Sequence, residues 1–157
     1  MRIETATARD VETLVALLPH VHDIHVAAVP WAFQAPAPDA VAAAFAAWIE
    51  RPTTRAFIAW EDDAALGYLL AFSQERAANP FGGARRWVLV EQIAVDPAAR
   101  QKGVARALMD AAARWARELG IDRLELETWA FNARAQAAFQ ALGFRPMRHR
   151  FALEVRA

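Results

Sequence analysis

Cysteine is absent from the 157 residues, which excludes disulfides, thiolate-bound zinc and a cysteine nucleophile and fits a cytoplasmic chain. No uninterrupted apolar run reaches about 18 residues, so no membrane-spanning helix is expected. Met1–Thr5 opens without an apolar stretch of signal-peptide length. Lysine plus arginine and aspartate plus glutamate are each 18, and this balance gives no field that would favour nucleic acid or an anionic membrane as partner. Fixed-period repeats and low-complexity tails are missing too. Tyrosine occurs once, as Tyr68. What is left reads as one domain over residues 1–157, a length that buries roughly 68–70% of the unfolded surface in a single core.

The segments alternate between the two hydrophobic periods. Arg2–Thr5 reads as a short strand, and Thr7 with Asp10 three residues on is a capping-box start for a helix whose stripe is Val11, Leu14, Val15 and Leu18. Pro19 interrupts it, and His20–Ala28 continues as a second helical piece. Asp39 is placed to cap a third helix carrying Val41, Phe45, Trp48 and Ile49, which Pro52 ends. Arg55–Trp60 and Ala65–Phe72 read as antiparallel strands around Glu61-Asp62-Asp63, and Ser73–Arg85 as a loop. Arg76, Arg85 and Arg86 are cations available to an anionic ligand, with solvated loop charge as the simpler reading.

Arg86–Ala105 is the stretch the rest is arranged around. Trp87–Val95 is apolar and β-branched almost throughout, as in a strand covered on both faces, and Asp96-Pro97 turns it. A helix starting after Arg100-Gln101-Lys102-Gly103-Val104-Ala105 presents unpaired backbone N–H groups at the positive end of its dipole. Gly103 and Ala105 leave room for a phosphate, and Arg100 and Lys102 add charge. That helix buries Val104, Leu108, Met109, Ala112, Trp115, Ala116 and Leu119 and stops at Gly120. Arg123–Trp129 alternates as a strand parallel to the first. Asn132 caps a last helix ending at Gly143, and Met147–Val155 is expected as a strand closing the sheet edge and offering a dimer surface.

Arg100-x-x-Gly103-x-Ala105 resembles the acyl-CoA-binding motif of the GNAT superfamily of N-acyltransferases. Asn132-Ala133-Arg134-Ala135, leading into Phe139 and Leu142-Gly143-Phe144, resembles that family's second signature. The resemblance runs along the whole chain and is most specific from Val88 to Phe144. It implies a mixed, mostly antiparallel α/β sheet with helices on both faces and a splayed central parallel strand pair. It implies acetyl transfer from acetyl-CoA, as co-substrate and without a metal, to a primary amine in a direct ternary complex. Carried over residue by residue, Ile93, Ala94 and Val95 hold the pantetheine arm. Arg100, Gln101, Lys102, Gly103, Val104, Ala105 and Arg106 hold the pyrophosphate, and Asn132, Arg134 and Phe139 lie at the cofactor. The acceptor is a small-molecule or peptide amine, and a homodimer is allowed.

The reaction needs a base, an oxyanion donor and an exit for the thiolate. Glu91, on the central strand, is the candidate base, and with a regular pleat it shares a face with Leu89, Ile93 and Val95. The polar pair Glu91-Gln92 in an apolar strand predicts a bulge. The Ile93 N–H is the oxyanion donor that the resemblance implies. Where the family usually carries a tyrosine this chain has Phe139, which has no proton to give. Tyr68 is one substitute, as acid or as acceptor-orienting group, and a half-buried strand aromatic is the other reading of it. The alternative to an enzyme is a module that binds acyl-CoA without turnover.

His20, His22, Asp23 and His25 invite a metal reading, but His20 is off the helical face shared by His22 and His25, and none is expected. The family geometry instead makes Asp23, His25, Trp31 and Phe33 acceptor-side candidates, with core packing as the competing account of Trp31 and Phe33. Without Gly-Lys-Ser/Thr after the turn or Gly-x-Gly-x-x-Gly, P-loop and Rossmann readings fail.

Overall fold

A computed structural model describes residues 1–155, in two compact units, one of residues 1–127 and one that begins at residue 128. The first opens with β1 (Arg2–Thr5) and a 3-10 turn capped by Thr7. The capping box forms as read: the Thr7 N–H donates to Asp10 Oδ2 at 2.8 Å and the Arg9 N–H donates to Thr7 Oγ1 at 3.3 Å. Helices α1 (Val11–Leu17) and α2 (Pro19–Ala28) follow, joined by Leu18 in helical conformation, so Pro19 breaks the ladder without opening a loop. Helix α1 buries Leu14 and Leu17, whereas α2 buries no residue fully. In α3 (Pro38–Ile49) Pro38 takes the first helical position and Ala37 the cap. Asp39 therefore lies inside the first turn rather than capping it, since proline's fixed φ already starts the helix one residue earlier.

Strands β2 (Thr54–Glu61), β3 (Ala64–Arg76) and β4 (Arg85–Val95) form the antiparallel centre. β3 and β4 extend into the stretch expected as loop, because Ser73–Arg76 pair with Arg85–Val88. After a 3-10 turn (Pro97–Ala99), α4 (Val104–Glu118) crosses to β5 (Leu124–Leu126), which lies parallel to β4. The five-stranded sheet runs β1-β2-β3-β4-β5. The expected strand Arg123–Trp129 is thus cut to three residues.

One face of the sheet packs Ala56, Ile58, Tyr68, Leu70 and Ala94 against Leu14, Leu17, Leu18 and Phe45. α4 packs on β2, β3 and β4, with Leu108, Ala112 and Trp115 buried as its spacing predicts, while Leu119 is only half-buried. Burying large apolar side chains contributes about 1.5–3 kcal/mol each. β3 carries this load on both sides, with Tyr68, Leu69, Leu70 and Ala71 all 0% exposed.

The second unit contains α5 (Ala133–Ala141), which the Asn132 carboxamide caps by accepting from the Ala135 N–H at 3.1 Å. Its end is set by Gly143 at φ 98°. The expected strand Met147–Val155 does not form: residues 145–155 enter no ladder, and Phe151 and Leu153 are 92% and 88% exposed. Alternating apolar residues make a strand only when an edge hydrogen-bonds to them, and none does here. Among the described residues no helix is long and apolar enough to cross a membrane.

Candidate active site

The site is built around a defect in β4. Leu70 pairs with Gln92 but Ala71 pairs with Val90, so Glu91 is the extra residue of a bulge. The bulge foreseen from the Glu91-Gln92 pair is present, and it changes the alternation. Leu89 stands opposite Phe72 on the face of α1 and α3, whereas Ile93 stands opposite Leu69 on the other face. Leu89 and Ile93 therefore lie on opposite faces, which overturns the regular-pleat expectation, and Gln92 follows Glu91 onto the side of Tyr68 and Leu70.

The parallel ladder ends next to that bulge. Val88, Leu89 and Val90 pair with Leu124, Glu125 and Leu126, and pairing stops there. β4 runs on to Val95 with only β3 beside it. Beyond Val90 its outer edge has no ladder partner among the described residues, which opens the splay and leaves the backbone of Ile93, Ala94 and Val95 along it. The next register positions hold Glu91 and Glu127. Burial around the Glu91 carboxyl, and then the Glu127 carboxylate, push the Glu91 pKa above its usual 4.5. Glu127 was missed in the sequence because alternation only assigns it a face. Counting β5 residues from the end of the ladder is the signal that finds it.

Tyr68 is fully buried, and its hydroxyl donates to Gln92 Oε1 at 2.7 Å. Burial drives its pKa far above the ordinary phenol value. With its proton committed to Gln92, it is unsuited to the acid role considered from sequence.

At the far end of β4, Asp96 Oδ1 accepts from the Ala98 N–H at 2.7 Å and fixes the turn. The Arg100 side chain folds back, Nε donating to the Val95 carbonyl at 3.3 Å. Gln101 at φ 63° and Gly103 at φ 81° then swing the chain into α4. The Ala107 N–H donates to the Gly103 carbonyl at 3.0 Å, so the N–H groups of Val104 and Ala105 precede the first full helical bond. A Cβ placed on Gly103 meets nothing within 4 Å. Open space at a helix start suits a pyrophosphate, and the exposed Lys102 stands beside it.

The histidines disperse. His20 lies 3.8 Å from Asp96, His22 donates to the Gln34 carbonyl at 2.9 Å, and His25 donates to the Val21 carbonyl at 2.6 Å. Among the described residues no group of three or more metal-binding side chains gathers. Phe33 packs on His25, with ring centroids 5.1 Å apart, and on His22 at 5.8 Å, whereas Trp31 is 78% exposed and Asp23 is exposed on α2. Arg85 stacks on Trp87 at 4.0 Å and faces Glu125 at 3.5 Å, and Arg86 donates to the Leu119 carbonyl at 3.1 Å. Both are structural contacts. In the second unit, Asn132 is engaged as the α5 cap, Arg134 is exposed, and the Phe139 ring meets Phe144 edge-on at 6.1 Å.

The sheet thus opens beside a bulged strand, and a helix start with open space in front of it follows. The model of the acetyltransferase (GNAT) family matches residues 18–144, and the chain belongs to that family. It is 35% identical over 88 residues to an aminoglycoside N(6')-acetyltransferase type 1 of Salmonella typhimurium, covering 56% of this chain and 60% of that one. The chain spans 18% to 60% of the length of the curated relatives it matches. Its fold matches a tetramutant of the BH1408 protein from Bacillus halodurans with a TM-score of 0.92 at 22% identity, covering 99% of this chain and 100% of that one. It also matches aminoglycoside N-acetyltransferase AAC(6')-Iy in complex with CoA, with a TM-score of 0.80 at 25% identity, covering 99% and 95%.

Proposed function

We propose that this chain transfers an acetyl group from acetyl-CoA to a primary amine on a small molecule, in one ternary complex, with Glu91 as base. The observation that carries the reading is Glu91 as the extra residue of the β4 bulge, beside the end of the β4–β5 ladder and with a raised pKa. A carboxylate moved toward neutrality is a better proton acceptor than an ordinary one. Glu91 takes a proton from the ammonium, directly or through water, and the freed nitrogen attacks the thioester carbonyl. The C–N bond forms, the C–S bond breaks with the sulfur leaving as thiolate, and the attacking nitrogen gives its second proton to water, from which the thiolate is protonated. The Ile93 N–H is assigned to the oxyanion, the edge of Ile93, Ala94 and Val95 to the pantetheine arm, and residues 100–106 to the pyrophosphate. Open space at Gly103 supports the last assignment.

Asn132, Arg134 and Phe139 keep their cofactor-side assignments on the family resemblance. The family match running from residue 18 to 144 supports reading 1–157 as one acetyltransferase domain. Asp23, His25, Trp31 and Phe33 are assigned to the acceptor side. The acceptor class draws support from relatives named for aminoglycosides and streptothricin. We carry the homodimer into the same proposal, since the exposed, alternating residues 147–155 suit strand pairing with a second copy; sedimentation equilibrium of the full chain and of one ended at Phe144 tests it. A cytoplasmic location goes with the reading and with the absence of cysteine.

A thiol with a pKa of about 8.5 leaves tolerably as thiolate, so water is sufficient to protonate it. Phe139 is the one feature favouring the rival, a module that binds acyl-CoA without turnover. The experiment is thiol release from acetyl-CoA across a panel of amines and peptides, in which a cysteine-free chain gives no protein background. Amine-dependent release establishes the transferase. Saturable acetyl-CoA binding with no release by any amine, unrestored in Phe139→Tyr, supports the binding module instead.

A further inference from the structure

We propose that Tyr68 and Gln92 form a positioning pair whose hydrogen bond holds the β4 bulge in the form that presents Glu91 to the acceptor amine. The inference rests on the acetyltransferase reading above and concerns two residues that touch no reacting atom.

A bulge is a place where register is weakly specified, because the extra residue sacrifices ladder bonds. If the irregularity moves by one position, the side chains it passes exchange faces. Something must therefore pin it between Val90 and Gln92. Gln92 is the residue immediately after Glu91, and its carboxamide oxygen accepts from the Tyr68 hydroxyl at 2.7 Å. The two are diagonal neighbours across the strand pair, Tyr68 opposite Ala94 and Gln92 opposite Leu70. The bond thus ties β4 to β3 on the carboxyl side of the bulge.

The anchor is stiff. Tyr68 is 0% exposed, sits in the cluster of Leu14, Phe45, Ile58 and Leu70, and has its ring edge-on to Phe45 at 5.8 Å. Composition adds an independent argument. The chain uses nine phenylalanines and one tyrosine, so ring volume is supplied elsewhere by phenylalanine. A buried hydroxyl that merely filled space would cost free energy, and only a satisfied hydrogen bond offsets the desolvation. The one phenol in the chain stands beside its candidate base, with its hydroxyl satisfied by Gln92.

The test uses Tyr68→Phe, which keeps the ring, and Gln92→Leu, which keeps the bulk, singly and together in the full chain. With an amine that the unmodified protein acetylates, each single change lowers kcat roughly ten- to a hundredfold, the scale of misplaced catalytic geometry. KM for acetyl-CoA stays within about twofold, and the double variant is no slower than the slower single one, because both remove the same bond. Because tyrosine occurs once, 3-fluorotyrosine labelling yields one fluorine resonance. That resonance moves in Gln92→Leu whether or not any amine is turned over. A resonance unmoved by Gln92→Leu overturns the proposal, as does Tyr68→Phe with unchanged kcat and a lowered melting temperature, which is a core tyrosine only. Failure of the unmodified protein to release thiol with every amine overturns the acetyltransferase reading and this inference with it. Release by the unmodified protein at the same rate as by Tyr68→Phe overturns this inference alone.

Discussion

Glu91 and Glu127 occupy the first register positions past the end of the β4–β5 ladder, so the point where the sheet opens is flanked by two carboxylates. Burial acts first on Glu91 and the Glu127 charge second, both raising its proton affinity. Moving a proton from a cationic amine to Glu91 relieves that repulsion, because one of the two carboxylates becomes neutral.

Replacing Glu91 by glutamine tests the base directly. Turnover falls roughly 10²–10⁴-fold at neutral pH, the usual worth of general base catalysis, while acetyl-CoA affinity is retained. The deficit narrows as the pH approaches the pKa of the acceptor amine, where neutral amine is already abundant. A pH series of kcat and a direct acetyl-CoA titration check both halves.

Glu127→Gln alters the pH profile rather than the chemistry. Glu91 must be ionised to accept a proton, so kcat/KM falls with acid through its raised pKa. Removing the Glu127 charge leaves burial as the remaining cause and moves that acid limb to lower pH. The same linkage applies to stability. A carboxyl whose folded pKa exceeds its unfolded value stabilises the fold below the unfolded pKa, and that contribution is lost as pH rises through the folded one. Thermal melts of Glu91→Gln and the parent therefore differ in pH dependence across this window.

Gly67 lies against the backbone of Ala94 and Val95, the segment proposed to hold the pantetheine arm. A Cβ there runs into the Ala94 carbonyl oxygen, a backbone atom with no freedom to rotate away. Gly67→Ala forces β3 from β4 at Ala94 and Val95, at a cost of about 1–3 kcal/mol, the range for overpacking. For a chain of this size that lowers Tm by a few degrees, roughly 2–4 °C per kcal/mol. Acetyl-CoA affinity falls with it. Calorimetry of both quantities decides the matter, and a normal affinity in a destabilised protein removes the Ala94 and Val95 backbone from the binding assignment.

Trp31 and Phe33, alike in the sequence, separate in the structure. Phe33 packs on His22 and His25, while Trp31 is 78% exposed. Phe33→Ala lowers stability by about 1–3 kcal/mol, less than full burial would cost. Trp31→Ala leaves the melting temperature unchanged and raises the acceptor KM. Equal acceptor kinetics in Trp31→Ala and the parent would falsify its acceptor assignment.

Much of the fold was legible because local chemistry and global pattern agree. Thr7 and Asp10, the α4 stripe, and Gly103 each act where their residue type dictates. The bulge was legible because two polar residues interrupt an apolar strand. Its effect on which side chains share a face was not, since alternation carries no information about a phase slip. Residues 147–155 show the converse, a strand pattern without an edge to complete it. Glu127 and the Tyr68–Gln92 bond depend on contacts across strands 24 or more residues apart, which no window along the chain reports.

The contrast between β3 and α2 has a consequence for which parts of the molecule are free to change. β3 is sealed on both faces, whereas α2 buries no residue fully and begins at a proline that donates no hydrogen bond. Local opening follows burial, so amide hydrogens of α2 exchange with solvent far faster than those of Tyr68–Ala71. If the acceptor-side assignment proposed for α2 holds, substitutions in this helix, which packs on β4, alter what the site admits while the sealed centre of β3 stays fixed.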